Sequence, residues 1–187
     1  MTHTFDPTVL REYDIRGVIG KTLGPDDARA IVRGFATLLR RARTGKGTSK
    51  VAVGCDGRTS SPMLEAALGE GLTASGVDVV RVGMGPTPML YYAEASAPDV
   101  QGGIQITGSH NPANYNGFKM VFQGRPFFGA DILTIGTMAA ALDKHVEEAF
   151  AELADERKRK ICEKLFKALT DKGTDARFPW VHPPCGS

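Results

Sequence analysis

Residues 107–112, with the sequence TGSHNP, contain side chains suited to nucleophilic chemistry. Ser109 stands next to His110 in a stretch where Gly108 and Pro112 favour a turn, which predicts an exposed hydroxyl on a tight bend. A serine hydroxyl needs a base in order to attack, or a phosphoryl group to hand over, and His110 offers a group for proton transfer. An isolated Ser-His pair is more often an ordinary polar connection, so this interpretation depends on the longer motif.

A lysine follows the serine stretch within a few residues. Asn116 and Gly117 form a dipeptide typical of turns, and the turn is predicted to bring Lys119 back beside Ser109. An ammonium group is a compact positive charge that suits phosphate oxygens. Ser109, His110 and Lys119 are therefore the predicted catalytic residues.

Two earlier segments offer groups that bind anions. Residues 13–17, YDIRG, contain Tyr13 and Arg16, and a planar guanidinium suits phosphate or carboxylate, although a surface ion pair is an alternative explanation. Residues 54–61, GCDGRTSS, follow a predicted strand and lead into a predicted helix N-terminus, where anions bind readily. N-capping alone accounts for Ser61.

The elements that must position these segments alternate between helix and strand. Apolar residues recur at helical spacing over 28–39, and further helices are predicted to start at Ser61 and at Thr87. Runs of apolar and β-branched residues predict strands at 51–53, 77–82, 103–107 and 118–122. Such alternation predicts a three-layer α/β/α domain with a mostly parallel mixed sheet, whose sites lie where strand ends meet loops.

Composition excludes several classes of partner. The 187 residues are 42% hydrophobic, enough for a real core, and the formal net charge of +2 includes no separate basic block, so we expect no nucleic-acid partner. No apolar run is long enough to span a membrane, and the first residues do not resemble a secretory signal. Three cysteines, odd in number and far apart, favour a reducing cytoplasm over disulfides or zinc.

The charge pattern changes near residue 142. Residues 143–177 carry 18 charged side chains in 35 positions, nine of each sign, with apolar residues at helical spacing. We therefore predict a charged helical extension over 142–177. Residues 178–187 have no periodicity and are predicted to form a disordered tail.

Three motifs in this order resemble the α-D-phosphohexomutases, in particular the bacterial phosphomannomutase/phosphoglucomutase branch. They are REYDIRG at 11–17, VGCDGRTSS at 53–61 and the serine motif TGSHNP, while GPTP at 85–88 is similar to a further family motif. The resemblance covers about residues 5 to 140, which corresponds to the first of four family domains. The predicted domain therefore covers residues 5–141, followed by an extension that does not match the family.

The resemblance implies a role for each site residue. Ser109 would carry the phosphoryl group, give it to a hexose phosphate to form a bisphosphate, and recover a phosphoryl group from the other position after the sugar turns. The reaction would interconvert the 1-phosphate and 6-phosphate of mannose or glucose, with a glucose 1,6-bisphosphate-type activator. His110 and Lys119 match positions that assist proton transfer and charge stabilisation, and Tyr13 and Arg16 match positions that contact the substrate.

The family's metal site is only partly present in this sequence. The resemblance implies Mg²⁺ bound through the phosphate on Ser109 and through aspartates of a later domain, but this chain contains no Asp-x-Asp motif. We therefore expect an incomplete fragment of the enzyme. The alternatives are a non-catalytic phosphosugar-binding or phosphoacceptor remnant, or one chain of a split mutase completed by a second chain.

Overall fold

The computed structural model of the chain describes residues 3–43, 47–152 and 160. Helices and strands alternate along most of this part, as the sequence predicts. In chain order they are β1 (Ile15–Val18), α1 (Pro25–Ala42), β2 (Ser49–Cys55), α2 (Ser61–Ala74), β3 (Val77–Met84), α3 (Thr87–Ser96), β4 (Val100–Ile106), β5 (Tyr115–Phe122), β6 (Arg125–Phe127) and α4 (Ala130–Glu152).

All six strands join in one mixed sheet of order β1-β5-β4-β2-β3, with β6 paired to β5. β2 runs parallel to both β3 and β4, whereas β5 is antiparallel to β1, β4 and β6. β2 and β4 are neighbours in space although a strand and two helices separate them in sequence. Their carboxyl ends therefore lie side by side at one edge of the sheet, where ligand sites of open α/β sheets form.

The helices lie on both faces of the sheet, which confirms the predicted three-layer arrangement. Alternate residues of β2 point to opposite faces, because strand side chains alternate. Val51 and Val53 join a large core cluster with apolar side chains of α1 and α2, whereas Ala52 packs in a smaller cluster with Leu90 of α3. α1 and α2 therefore cover one face, and α3 covers the other.

Phe35 of α1 is fully buried at the centre of the larger cluster. Its ring meets Phe122 and Phe127 edge to face, with centroid distances of 5.8 and 5.5 Å. We expect Phe35→Ala to lower the free energy of unfolding by about 3–5 kcal/mol, because it removes a large buried ring and leaves a cavity. Urea unfolding measures this free energy, and Leu133→Ala, at an exposed position, is the control.

Leu133→Ala should change the free energy of unfolding by no more than about 0.5 kcal/mol, since its side chain is 61% exposed. Equal effects of the two substitutions would contradict the assigned core.

The charged C-terminal part lies mostly outside the described residues. α4 (Ala130–Glu152) runs through the predicted boundary at 141/142, and after Glu152 only residue 160 is described, as helical. The chain divides into two compact units, Met1–Glu147 and Glu148–Ser187. The predicted tail at 178–187 lies outside the described residues. None of the helices that the structure describes has the length and apolar character to cross a membrane.

Candidate active site

The serine loop leaves the carboxyl end of β4 and returns to the sheet at β5. Ser109 is exposed and has a φ of 53°, in the left-handed region that residues with a Cβ seldom adopt. This conformation costs about 1–2 kcal/mol, so the surroundings must hold it. The amide of Ser109 donates to Thr107 Oγ1 at 2.8 Å, and the Ser109 hydroxyl lies 3.4 Å from His110 Nδ1. The predicted Ser-His pair is thus present on an exposed bend.

Asp56 anchors this loop from the end of the neighbouring strand β2. One of its carboxylate oxygens accepts from the Gly108 amide at 3.0 Å and from the Thr107 hydroxyl at 2.9 Å. The other oxygen accepts from the Ser61 hydroxyl at 2.9 Å and from the Arg58 amide at 3.2 Å. The carboxylate therefore fixes the two residues that precede Ser109 and connects them to the start of α2.

These contacts determine the charge state of Asp56. Burial alone raises the pKa of the Asp56 carboxyl, but hydrogen bonds from the Gly108 amide, Ser61, Thr107 and the Arg58 amide lower it on balance. A carboxyl group whose pKa is lower in the folded state contributes stability above its unfolded pKa. That contribution disappears as the pH falls through the folded pKa.

We therefore expect the serine loop to keep its order down to about pH 4, the ordinary pKa of aspartate, and to lose it below. The amide resonance of Gly108 should report this in an NMR titration, because it donates directly to Asp56. Loss of the hydrogen bond from the Gly108 amide to Asp56 between pH 5 and 7 would contradict the assignment. The resonance of Ile104, buried in β4, is the internal control.

Arg16 lies beneath the loop and not on its surface. Its side chain is 3% exposed, and the guanidinium donates to the Gly108 carbonyl and, at 2.5 Å, to Asp14. The buried Nε of Arg16 has no hydrogen-bond partner among the described residues. Arg16 therefore supports the backbone immediately before Ser109, and its predicted contact with the substrate stays a prediction.

The predicted turn at Asn116 and Gly117 is wrong, because both residues lie inside β5 and pair with β1. The buried Asn116 amide donates to the hydroxyls of Ser60 and Ser61, at 2.9 and 3.1 Å. A Cβ on Gly117 would overlap the carbonyl of Ile15 in β1, so glycine is required here for close strand approach. Strand pairing and buried hydrogen bonds outweigh the turn preference of the dipeptide.

The predicted capping role of Ser61 is also wrong. α2 begins at Ser61, so Ser60 occupies the N-cap position, and Ser60 makes no capping hydrogen bond through its side chain. The hydroxyl of Ser61 instead donates to Asp56. Ser61 is thus part of the scaffold that holds the serine loop.

Lys119 lies in β5, where it pairs with Gln105 of β4. It lines a cavity of about 280 Å³ together with Tyr13, which is 73% exposed. The other lining residues are Tyr91, Met120, Pro126, Phe127 and Phe128. The structure thus groups Lys119 with Tyr13, and Ser109 with His110 and Arg16. No hydrogen bond among the described residues joins the two groups.

The described residues do not form a metal site. No group of three or more His, Cys, Asp or Glu side chains within them is arranged to hold an ion. A phosphate on Ser109 would supply only part of the six oxygen ligands that Mg²⁺ requires. The described part of the chain therefore does not fit a bound Mg²⁺, and no reaction step is assigned to one.

Comparison with known proteins gives consistent matches. The domain family described as phosphoglucomutase/phosphomannomutase, alpha/beta/alpha domain I, matches residues 7–146. A phosphomannomutase/phosphoglucomutase of Pseudomonas aeruginosa is 46% identical over 184 residues, which are 98% of this chain and 38% of that protein. A phosphoglucomutase of Neisseria gonorrhoeae is 45% identical over 124 residues, 66% of this chain and 26% of that protein.

A solved structure agrees with these sequence matches. The crystal structure of a phosphoglucomutase/phosphomannomutase family protein from Burkholderia thailandensis is similar with a TM-score of 0.68 and 44% identity, over 75% of this chain and 31% of that one. The chain therefore spans between a quarter and two fifths of the length of these relatives. The predicted boundary at 141/142, and the mismatch of the extension with the family, stay predictions.

Proposed function

Since the chain belongs to the phosphoglucomutase/phosphomannomutase family and contains its domain I, we propose that Ser109 carries the phosphoryl group in an isomerase reaction on hexose phosphates. The substrates are the 1-phosphate and 6-phosphate of glucose or mannose, the sugars in the names of the relatives. The main supporting observation is the clamped left-handed bend, which exposes the Ser109 hydroxyl while its backbone is hydrogen-bonded.

The reaction consists of two phosphoryl transfers. In the first, the bond between phosphorus and the Ser109 oxygen breaks, a bond to the free sugar hydroxyl forms, and the proton of that hydroxyl passes to the serine oxygen. In the second, the sugar has turned around, the serine hydroxyl takes the other phosphoryl group, and its proton passes to the departing sugar oxygen. His110 relays both protons, since its Nδ1 lies 3.4 Å from the serine oxygen.

Positioning and neutralisation of oxygen charge account for most of the catalysis of phosphoryl transfer. Lys119 supplies positive charge, and Tyr13 offers a ring and a hydroxyl to the sugar in the same cavity. Arg16 holds the carbonyl of Gly108, which precedes the serine. A glucose 1,6-bisphosphate-type activator would phosphorylate Ser109 before the first turnover.

The test is conversion of glucose 1-phosphate to glucose 6-phosphate by the purified chain, with Mg²⁺ and a trace of glucose 1,6-bisphosphate. Turnover that depends on Ser109 supports a complete mutase. Phosphorylation of Ser109 without turnover supports a phosphoryl carrier that needs further domains. The absence of both would contradict the proposal.

The second candidate is a non-catalytic phosphosugar-binding or phosphoacceptor protein, or one chain of a split mutase. The observation that favours it is the absence of a carboxylate cluster for a metal among the described residues. Recovery of turnover on adding a polypeptide with the remaining family domains would identify the split enzyme.

We further propose that the protein works in the cytoplasm and does not bind nucleic acid. The near-neutral charge supports the second statement. The buried free thiol of Cys55 is consistent with a reducing compartment.

A further inference from the structure

Arg58 uses its whole guanidinium group to hold the serine loop. A guanidinium has five N–H donors, and Arg58 makes five side-chain hydrogen bonds. Nη1 donates to the carbonyls of Pro112 and Tyr115 at 2.6 and 3.0 Å. Nη2 donates to the carbonyls of Ser109 and Asn111 at 3.1 and 2.7 Å, and Nε donates to Asp56 at 3.2 Å.

The four carbonyls all belong to the segment from Ser109 to Tyr115, which has no regular structure before β5 begins. Backbone carbonyls in such a loop have few partners of their own, and a charged donor stabilises them more than a neutral one. The Arg58 side chain is 15% exposed, so these bonds are partly shielded from water. The Arg58 guanidinium therefore fixes the path of the loop from Ser109 onward, while Asp56 fixes the two residues before Ser109.

We propose that Arg58 is a positioning residue that sets the conformation of Ser109 for phosphoryl transfer. This inference rests on the proposed function of Ser109. Because every donor of Arg58 is engaged by the loop or by Asp56, the residue acts through the serine backbone and does not bind the phosphoryl group. Lysine cannot replace it, since three donors on one nitrogen cannot span four carbonyls and a carboxylate.

Gly108 offers an independent way to disturb the same contact. A Cβ at this position would overlap the Arg58 guanidinium, so Gly108→Ala forces the guanidinium away from the loop without removing its charge. If Arg58 positions the loop, Gly108→Ala and Arg58→Lys should both speed solvent exchange of the Ser109 amide.

The first measurement is solvent exchange of backbone amides, by NMR, in the full chain. We expect Arg58→Lys to speed exchange of the Gly108 and Ser109 amides by about 10-fold. The loop that holds these amides against Asp56 and Thr107 would no longer be fixed by Arg58. Amides of the buried strand residues Val53 and Ile104 should keep their rates. Arg29→Lys is the control, since Arg29 is 40% exposed and binds carboxylates on the helix surface.

The second measurement is chemical rescue of Arg58→Ala. Methylguanidinium should restore the slow exchange and the chemical shift of the Ser109 amide, whereas methylammonium at the same concentration should not. A general loss of stability would respond to neither ion. If Arg58→Lys leaves the exchange of the Gly108 and Ser109 amides unchanged, and Gly108→Ala leaves that of the Ser109 amide unchanged, the proposal is overturned.

The third measurement separates this inference from the proposed function. Arg58→Lys should lower the rate of Ser109 phosphorylation by glucose 1,6-bisphosphate by about 100-fold, as misplacement of a reacting group does. Suppose that the wild-type chain is not phosphorylated, but that exchange of the Gly108 and Ser109 amides still depends on Arg58. This result would contradict the proposed function of Ser109 and not the role of Arg58 in holding the loop. Wild-type rates of phosphorylation in Arg58→Lys would overturn the positioning role.

Discussion

Replacing Ser109 with alanine is expected to remove phosphoryl transfer, with a loss of about 10⁴-fold or more, as for other nucleophile deletions. The substitution removes only the hydroxyl. The Ser109 amide and carbonyl, which bind Thr107 and Arg58, remain in place. The loop should therefore keep its structure while activity disappears. Phosphorylation of the chain and conversion of glucose 1-phosphate are the measurements.

The matched control for Ser109→Ala is Ser75→Ala. Ser75 is the C-cap residue of α2, at the opposite end of that helix from Ser61, and its hydroxyl donates to the Gly71 carbonyl. This variant should keep the wild-type rate. Activity that survives in Ser109→Ala would assign the phosphoryl group to another residue and contradict the mechanism.

Asp56→Asn is expected to have the second-largest effect, a loss of about 100-fold in phosphoryl transfer, because it loosens the support of the nucleophile. The carboxylate accepts hydrogen bonds at both oxygens, and an amide offers only one acceptor oxygen. At least two donors would then face an NH₂ group, whichever way the amide turns. These donors are partly buried and would have no acceptor, and Arg58 would lose the negative charge beside it. Both changes should displace Gly108 and Ser109.

The control for this variant is Asp78→Asn. Asp78 is exposed in β3 and accepts from the Thr48 hydroxyl, so its replacement should leave both the activity and the serine-loop amides unchanged. Faster amide exchange in the loop of Asp56→Asn, with unchanged exchange in β4, would locate the defect. A wild-type rate in Asp56→Asn would show that this carboxylate does not position the nucleophile.

Sequence periodicity was sufficient to predict α1–α3 and β2–β5, but not the short strands β1 and β6. Hydrophobic periodicity reports which face of an element is buried, and that information is local. The order of strands is not local. Asp56 and Arg58 act on the serine loop because β2 lies beside β4, an arrangement that a pattern along the chain does not contain. The sequence signal for these two residues was a pair of opposite charges in the glycine-rich segment that follows β2.

Asn116 shows a second limit of local reasoning. An Asn-Gly pair favours a turn in isolation, but here its amide is buried against two serine hydroxyls and its neighbours pair with β1. The position of Lys119 is set by the register of β5 with β4 and not by a turn. The turn that was to bring Lys119 beside Ser109 is wrong, and the catalytic role of Lys119 stays a prediction.

We propose above all that Ser109, held by Asp56 and Arg58, accepts the phosphoryl group. The most direct measurement is phosphopeptide mapping of the full chain after incubation with glucose 1,6-bisphosphate and Mg²⁺. We expect one phosphorylated site, at Ser109, with much slower labelling in Asp56→Asn. An unlabelled chain, or phosphate on Ser60 or Ser61 in place of Ser109, would contradict it.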